Sequence, residues 1–334
     1  MTPPERAIEP GLVSTIVPVH NRPGLLVEAV ESVLAQSYRP LEVVIVDDGS
    51  TDDTVEVADR LATEHPGKVL ALHVSNGGPG LAREAGRLRA RGEFLQYLDS
   101  DDVLLPEKFA RQVAALRADP GAGVCYGMTR YVDESGTGIS RPWRRTGERL
   151  EHMFPSFLVE RWWSTSTPLY RRSVTDAVGP WTGLWNEEDW EYDCRVAALG
   201  PRLCYVRHFV SETRVHGGDR LSRDGSHDPA KLRARAAAHA LILVHARRAG
   251  ITPDQEEMRH FARELFLLAR QCGAAGLPAE ARRLHALASE ASDPIAGRRL
   301  DLRAYGAIAH LVGWDRLGRL VCALDRARGR LGRK

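Results

Sequence analysis

The sequence predicts an α/β protein: a mostly parallel sheet flanked by helices, followed by an all-helical C-terminal region. Three observations carry this. Short β-rich runs alternate with stretches of helical periodicity through the first hundred residues. From Pro229 onward only helical periodicity remains. Charge divides the same way: Lys231 to the end holds 20 Lys/Arg against 10 Asp/Glu, leaving 26 against 34 before it, although the whole chain of 334 residues carries only +2. Two bodies with different surfaces are expected. The near-neutral total gives no whole-chain polyelectrolyte character that points to nucleic acid, and 43% hydrophobic with 27% charged residues rules out disorder as the default.

The elements follow in order. Leu12–Val19 is a strand-type run broken by Asn21-Arg22-Pro23-Gly24. Leu25, Leu26, Ala29, Val30, Val33 and Leu34 then fall on one helical face up to Ser37. Leu41–Val46 is apolar nearly throughout, as a strand covered on both faces requires. Asp47-Asp48-Gly49-Ser50-Thr51 closes it, and Thr51 or Asp52 is expected to cap a helix running to about Ala62. Val69–Val74 and Glu93–Leu98 are further strands, with Gly80–Ala90 a helix between them. Such βαβ repetition implies right-handed crossovers. The middle third is less regular: Gly123–Met128 and Tyr131–Glu134 read as strands joined by tight turns, and six of the seven tryptophans lie between Trp143 and Trp190. Helices are expected over Lys231–Ala249, Gln255–Gly273, Ala279–Ala291 and Trp314–Gly329. The boundary falls in SRDGSHDPA, separating residues 1–228 from 229–334.

No apolar run is long enough to span a bilayer, and MTPPERAIEP lacks the cationic start and apolar run of a signal peptide. The five cysteines are scattered, without a CxxC pair, which fits a reducing compartment. A cytoplasmic location is expected, with peripheral contact at the inner face of a membrane as the variant.

Ligands of an open parallel sheet bind at its carboxyl edge, where the loops after the strands gather. Those loops here are Pro18-Val19-His20-Asn21, Asp47-Asp48-Gly49-Ser50 and Asp99-Ser100-Asp101-Asp102. A single Asp after a strand is ordinarily a helix cap, the reading given to Asp52 and Asp53. Three carboxylates in four residues repel one another unless something neutralises them. A hard divalent ion, Mg²⁺ or Mn²⁺, held to a diphosphate is the expected neutraliser. Gly78-Pro79-Gly80 follows the third strand without the third glycine of a dinucleotide fingerprint, which speaks against an oxidoreductase.

On STIVPVHNRPGLLVEAVESVLAQSYRPLEVVIVDDGSTDDT, NGGPGLAREAGRLRARGEFLQYLDSDD and NEEDWEYDCRVAALG, in this order and spacing, the chain resembles the inverting glycosyltransferases of family 2. The resemblance covers about residues 12–220. It implies a GT-A (Rossmann-like) fold and transfer of a sugar from a nucleotide-diphosphate donor, UDP-sugar foremost, to a glycan, lipid-linked or natural-product acceptor. Residues about 12–102 then bind the nucleotide-sugar, and about 103–228 hold the acceptor and base. Pro18, Val19, His20 and Asn21 line the base pocket, Asp48 accepts from the ring N–H of a uracil-type base, and Asp47 supports that loop or the ribose. Arg83 approaches base or phosphates. Asp99 and Ser100 lie toward the ribose. Asp101 is the direct ligand of the metal, with Asp99 in its shell and His216 closing over the diphosphate or joining the metal. Asp102 is a second acid or the cap of the helix after Pro106. Glu84 stands where such enzymes often have Asn. A nucleotidyltransferase, or an inactive sugar-nucleotide-binding protein, is the alternative.

The Glu-Asp pair of the family falls on Glu188 and Asp189, with Asp189 as general base and Glu188 orienting acceptor or loop. Taken without the upstream motifs, Glu187, Glu188 and Asp189 read rather as an acidic helix start favoured by the helix dipole. Trp185 and Trp190 flank the pair, and one of them is expected to stack on the acceptor. As lone side chains His20, His73, His208 and His227 have only a structural reading. The basic tail has two uses: its apolar stripes, Phe261, Leu265, Leu268 and Leu284, Leu287, pack on the first domain or form a homodimer, or its arginines rest on an anionic membrane. Packing is preferred, since no aromatic-rich inserting face is present.

Overall fold

The computed structural model describes residues 7–133, 138–139, 141–214, 228–292 and 299–331. The chain divides into two compact units: Met1–Met153 with Arg161–Gly183 and Leu199–Gly218, and Phe154–Glu160 with Leu184–Ala198 and Asp219–Lys334.

The first unit opens as the sequence predicts, with β1 (Glu9–Val19), α1 (Pro23–Leu34), β2 (Leu41–Asp48), α2 (Thr54–Glu64), β3 (Val69–Val74), α3 (Pro79–Arg89) and β4 (Gly92–Tyr97). β1 pairs in parallel with β2 and β4, and β2 with β3. β5 (Asp102–Leu104), α4 (Lys108–Ala118), β6 (Ala122–Val132), β7 (Gly138–Ile139), β8 (Leu169–Arg171), α5 (Arg172–Val178) and β9 (Arg202–Arg214) complete it. The sheet runs β3-β2-β1-β4-β8-β6-β9-β5, with β7 beside β6. Beyond β4 it is mixed: β8 is antiparallel to β4 and β6, β6 is parallel to β9, and β5 is antiparallel to β9.

Residues on β1 alternate between the sheet faces. Val13, Val17 and Val19 join Leu26, Ala29, Val30 and Val33 of α1 and Phe109, Val113 and Leu116 of α4 in one core. The two strands expected over Gly123–Met128 and Tyr131–Glu134 are corrected to one, Ala122–Val132. The polar residues that suggested a turn are satisfied inside the sheet. The Thr129 hydroxyl lies 2.6 Å from that of Thr167 and 2.9 Å from that of Ser211, and Arg130 pairs with Glu212 on β9. Glu134 lies outside the described residues.

In the second unit, α6 (Glu188–Ala198) joins α7 (Pro229–Arg248), α8 (Glu256–Ala274), α9 (Pro278–Ala291), α10 (Arg299–Val312) and α11 (Trp314–Leu331). Asp228 caps α7, accepting from the Ala230 N–H at 2.8 Å with Pro229 in the first turn. Phe261, Leu265, Leu268 and Leu284 are buried where α8 packs on α9 and α11, and Leu287 is half-buried. Among the large apolar residues left exposed are Ile308, Leu311, Leu320 and Leu324, with Leu311 86% exposed. α10 has no counterpart in the sequence reading, and Gly306, a residue unfavourable in helix interiors, sits in its middle. The structure explains that glycine: a Cβ there would stand 2.8 Å from the His285 ring. Among the described residues no helix is long and apolar enough to cross a membrane.

Candidate active site

The first unit brings the three expected loops together at the carboxyl edge of β1, β2 and β4. Asn21, in left-handed backbone (φ 52°), stitches the first two. Its N–H donates to Ser50 Oγ at 3.0 Å, and its side-chain oxygen accepts from the Thr51 N–H at 2.8 Å. His20 Nδ1 lies 2.9 Å from the Asp48 carbonyl, which requires the Nδ1–H tautomer there. Pro18 and Val19 are buried at the end of β1, in register with Val46 and Asp47.

Asp47 and Asp48 are both buried, and both are anchored by backbone N–H groups. Asp47 accepts from Ser50 N–H at 3.1 Å. The two oxygens of Asp48 take the N–H groups of Gly77 and Gly78 at 2.8 and 2.9 Å, fastening the loop after β3 to the end of β2. A carboxylate has about four lone-pair positions, so acceptor capacity remains. Gly49 makes this closure possible: its φ is +67°, and a Cβ there would meet the Asn76 nitrogen at 2.8 Å. His73 lies 3.0 Å from Asp59 and 3.5 Å from Asp47. The bond to Asp59 is the main reason its pKa stands above the ordinary value, with Asp47 adding to it against burial.

Each carboxylate of the acidic loop meets its own partner. Asp99 accepts from Arg83 at 2.7 Å. Arg83 is buried, and its guanidinium rests 4.8 Å from the centre of the Trp181 ring. Asp101 pairs with Arg22 at 2.9 Å, and its carbonyl accepts from Arg214 at 3.1 Å. Asp102 is buried in β5 and takes the Ser166 hydroxyl at 2.6 Å and that of Thr213 at 3.4 Å. It does not cap the following helix, whose N-cap is Glu107. Beneath it the buried Lys108 donates to the Thr167 carbonyl at 2.7 Å, and burial pushes its amine well below the usual lysine range. Glu84 is bound to Arg87 at 2.7 Å and accepts from the Trp181 N–H at 3.2 Å. That bond fixes the backbone at Trp181, the residue whose ring lies against Arg83.

The donor chemistry fits a hard divalent ion. Asp99 and Asp101 are oxygen ligands two residues apart, and their side chains keep 32% and 16% exposure. Mg²⁺ ordinarily takes one or two carboxylates together with substrate phosphates and water. Among the described residues no group of three or more His, Cys, Asp or Glu gathers as a metal cage. His216 lies outside the described residues.

In the second unit Glu188 is buried in the first turn of α6, and Asp189 accepts from the Trp190 N–H at 2.7 Å. Trp190 is engaged in packing. Its indole N–H donates to the Phe157 carbonyl at 2.7 Å, and its ring meets His239 edge-on. Trp185 is 50% exposed. Sequence reasoning missed Arg22, Trp181, Ser166 and Thr213 in the first unit and Arg235 and His239 in the second.

The acidic loops lie at the carboxyl edge of the sheet, the edge at which open α/β sheets bind ligands. Residues 14–179 match the family model Glycosyl transferase family 2, and the chain belongs to that family. An uncharacterized glycosyltransferase of Nostoc sp. is 33% identical over 222 residues, 62% of this chain and 66% of that protein. The chain spans only 21% of a similar uncharacterized glycosyltransferase of Rickettsia felis, at 36% identity over 129 residues and 38% of this chain. The structure of S. aureus TarS 1–349 has a TM-score of 0.64 at 19% identity, covering 92% of this chain and 89% of that one. TarS has also been solved with UDP and with UDP-GlcNAc. The mannosyltransferase PcManGT of Pyrobaculum calidifontis, in complex with GDP-Man and Mn²⁺, has a TM-score of 0.53 at 20% identity, covering 96% and 87%. At such identities the likeness establishes a shared GT-A glycosyltransferase fold.

Proposed function

We propose that the chain is a metal-dependent inverting glycosyltransferase that moves a sugar from a nucleotide-diphosphate donor, UDP-sugar foremost, to a hydroxyl or other nucleophile of a glycan, lipid-linked or natural-product acceptor. The observation that carries the reading is the carboxyl-edge array, in which Asp48 closes the loop after β3 while Asp99 and Asp101 stand beside Arg83 and Arg22. The nucleotide-sugars bound to TarS and PcManGT support the donor class.

In this reading Asp48 takes the base N–H, with Pro18, Val19, His20 and Asn21 around it, and Asp47 holds the loop. Asp99 and Ser100 face the ribose. Asp101 with Asp99 would hold Mg²⁺ or Mn²⁺, which when bound supplies positive charge against the developing charge of the departing diphosphate. Arg83 and Arg22 add cationic charge on the same edge. Asp189 accepts the proton of the acceptor hydroxyl. The freed oxygen pair bonds to the anomeric carbon, the bond to the diphosphate oxygen breaks, and the nucleoside diphosphate leaves with that pair. The configuration inverts. Glu188 orients the acceptor, and Trp185 offers the exposed ring for stacking.

The test measures UDP or GDP release from UDP-glucose, UDP-galactose, UDP-GlcNAc and GDP-mannose with Mn²⁺, followed by anomeric NMR of the product. Release from one donor with inverted product is expected. No release from any of them, undiminished turnover in EDTA, or a retained configuration overturns the corresponding part of the reading.

A further inference from the structure

Glu187 stands immediately before α6, in backbone that residues other than glycine rarely adopt (φ 60°). Its carbonyl accepts the Glu191 N–H at 2.9 Å, closing the first turn of that helix, so a shift of Glu187 moves the turn carrying Glu188 and Asp189. Its side chain is held from α7 by Arg235 through Oε1, while Oε2 is buried without a hydrogen-bond donor. Arg235 Nε lies 2.8 Å from Oε1, and His239 Nδ1 lies 3.0 Å from Oε2.

The grip is itself rigid. His239 is buried, and its Nδ1–H is donated to the Arg235 carbonyl at 3.0 Å, so the ring stands beside Glu187 as a packed neighbour. Its ring stacks on Phe261 of α8 with centroids 5.4 Å apart and is met edge-on by Trp190 of α6 at 5.3 Å. One turn along α6, Glu191 is bound by Arg195 at 3.1 Å and by His245 of α7 at 2.9 Å. Two rungs therefore tie α6 to α7, and the outer one sits at the strained residue. Backbone in a sparsely populated region persists only where its surroundings over-determine it.

We propose that Arg235 and His239 are positioning residues for glycosyl transfer: Arg235, bonded to Glu187, and His239, packed beside it and bonded to the Arg235 carbonyl, fix the strained turn from which Asp189 projects, and so set where the base meets the acceptor. This rests on the reading of Asp189 as that base. A general base displaced by about 1 Å costs on the order of 10²-fold in rate, while the nucleotide subsite, built on the other unit, is untouched.

The experiment uses the full chain, with UDP-GlcNAc or the donor of the panel above that is turned over fastest. Arg235→Met keeps the stem and removes the cation, Arg235→Lys keeps the charge, and His239→Gln removes the ring should Arg235→Met fail to fold. Arg235→Met is expected to lower kcat at least about tenfold, with donor KM and UDP affinity unchanged within about twofold, the pattern of a step-specific loss. Arg235→Lys should restore most of it, and amide exchange over residues 187–191 should accelerate in Arg235→Met. Faster exchange with unchanged kcat, unchanged exchange, or a kcat loss matched by lost UDP affinity overturns the proposal. Asp189→Asn separates the two ideas. Loss of turnover there beside an active Arg235→Met refutes the positioning role alone, and full turnover in Asp189→Asn refutes the base on which it rests.

Discussion

Two runs of the chain crowd three carboxylates into a few residues, and the protein treats them differently. In Asp99-Ser100-Asp101-Asp102 the last acid is the anchor: Asp102 is buried on Ser166 and Thr213, while Asp99 and Asp101 keep partial exposure beside arginines from separate loops. In Glu187-Glu188-Asp189 the first acid is the anchor, bonded to Arg235 with His239 packed beside it, and the remaining two begin a helix. Like charges this close require compensation. In both runs one acid is pinned by groups remote in sequence. Carboxylate count alone does not show which acid is pinned; the partners do.

The comparison breaks if the working acids and anchors can be exchanged without consequence. The largest effect is expected at Asp101. Asp101→Asn should lower transfer by about 10⁴-fold, since the charge it helps to neutralise is worth several kcal/mol in the transition state. A melting temperature within a few degrees of wild type would show that the loss is chemical, and turnover near the wild-type level would remove Asp101 from the machinery. Asp189→Asn comes next, with a fall of about 10³-fold in kcat and retained UDP binding by calorimetry. Loss of UDP binding in that variant would show that the second run does not act separately from the first.

The anchors should report in stability. Ser166→Ala strips the shorter of the two hydroxyl bonds recorded at Asp102 and is expected to cost about 2 kcal/mol in urea unfolding. A neutral result would mean that Thr213 carries that carboxylate. The smallest effect concerns pH. Burial raises the Glu187 carboxyl, but attraction by His239 and Arg235 outweighs it and holds the group below its ordinary value of 4.5. A carboxylate lowered in the folded state contributes stability that is present above its unfolded pKa and is lost as pH falls through the folded one. Unfolding midpoints measured downward from pH 6 should therefore fall below about pH 4.5, and Glu187→Gln should flatten that limb. An unchanged limb in the variant assigns the loss to other acids.

How much of this the sequence shows depends on whether a partner is local. β1 to β4 are legible because Leu12–Val19 and Leu41–Val46 are long apolar runs, and Asp48, Asp99 and Asp101 stand out because each follows such a run. β5 and β8 are three residues long, too short for any periodicity. Arg22 sits in a turn-forming NRPG stretch and reads as loop, and its pairing with Asp101 spans 79 positions that no pattern connects. Arg235 and His239 did leave a trace. They lie four apart on α7, so they share a face, and His239 falls in the alanine-rich stretch AAAHALI, where a polar ring calls for a partner. The identity of that partner, Glu187, required the fold.

The sheet unit is interrupted in sequence: Phe154–Glu160 and Leu184–Ala198 leave it for the helical unit before the chain returns to lay down β9 between β6 and β5. During synthesis the N-terminal portion emerges first. Until residues past Arg202 arrive, an eleven-residue strand, β6, lacks the parallel neighbour it has in the finished sheet. An unpaired edge of that length is a template for pairing with another nascent chain. The time spent making the intervening segments is thus the stage at which this protein is most exposed to self-association, and chaperone demand during expression should peak there and fall once Arg214 is made.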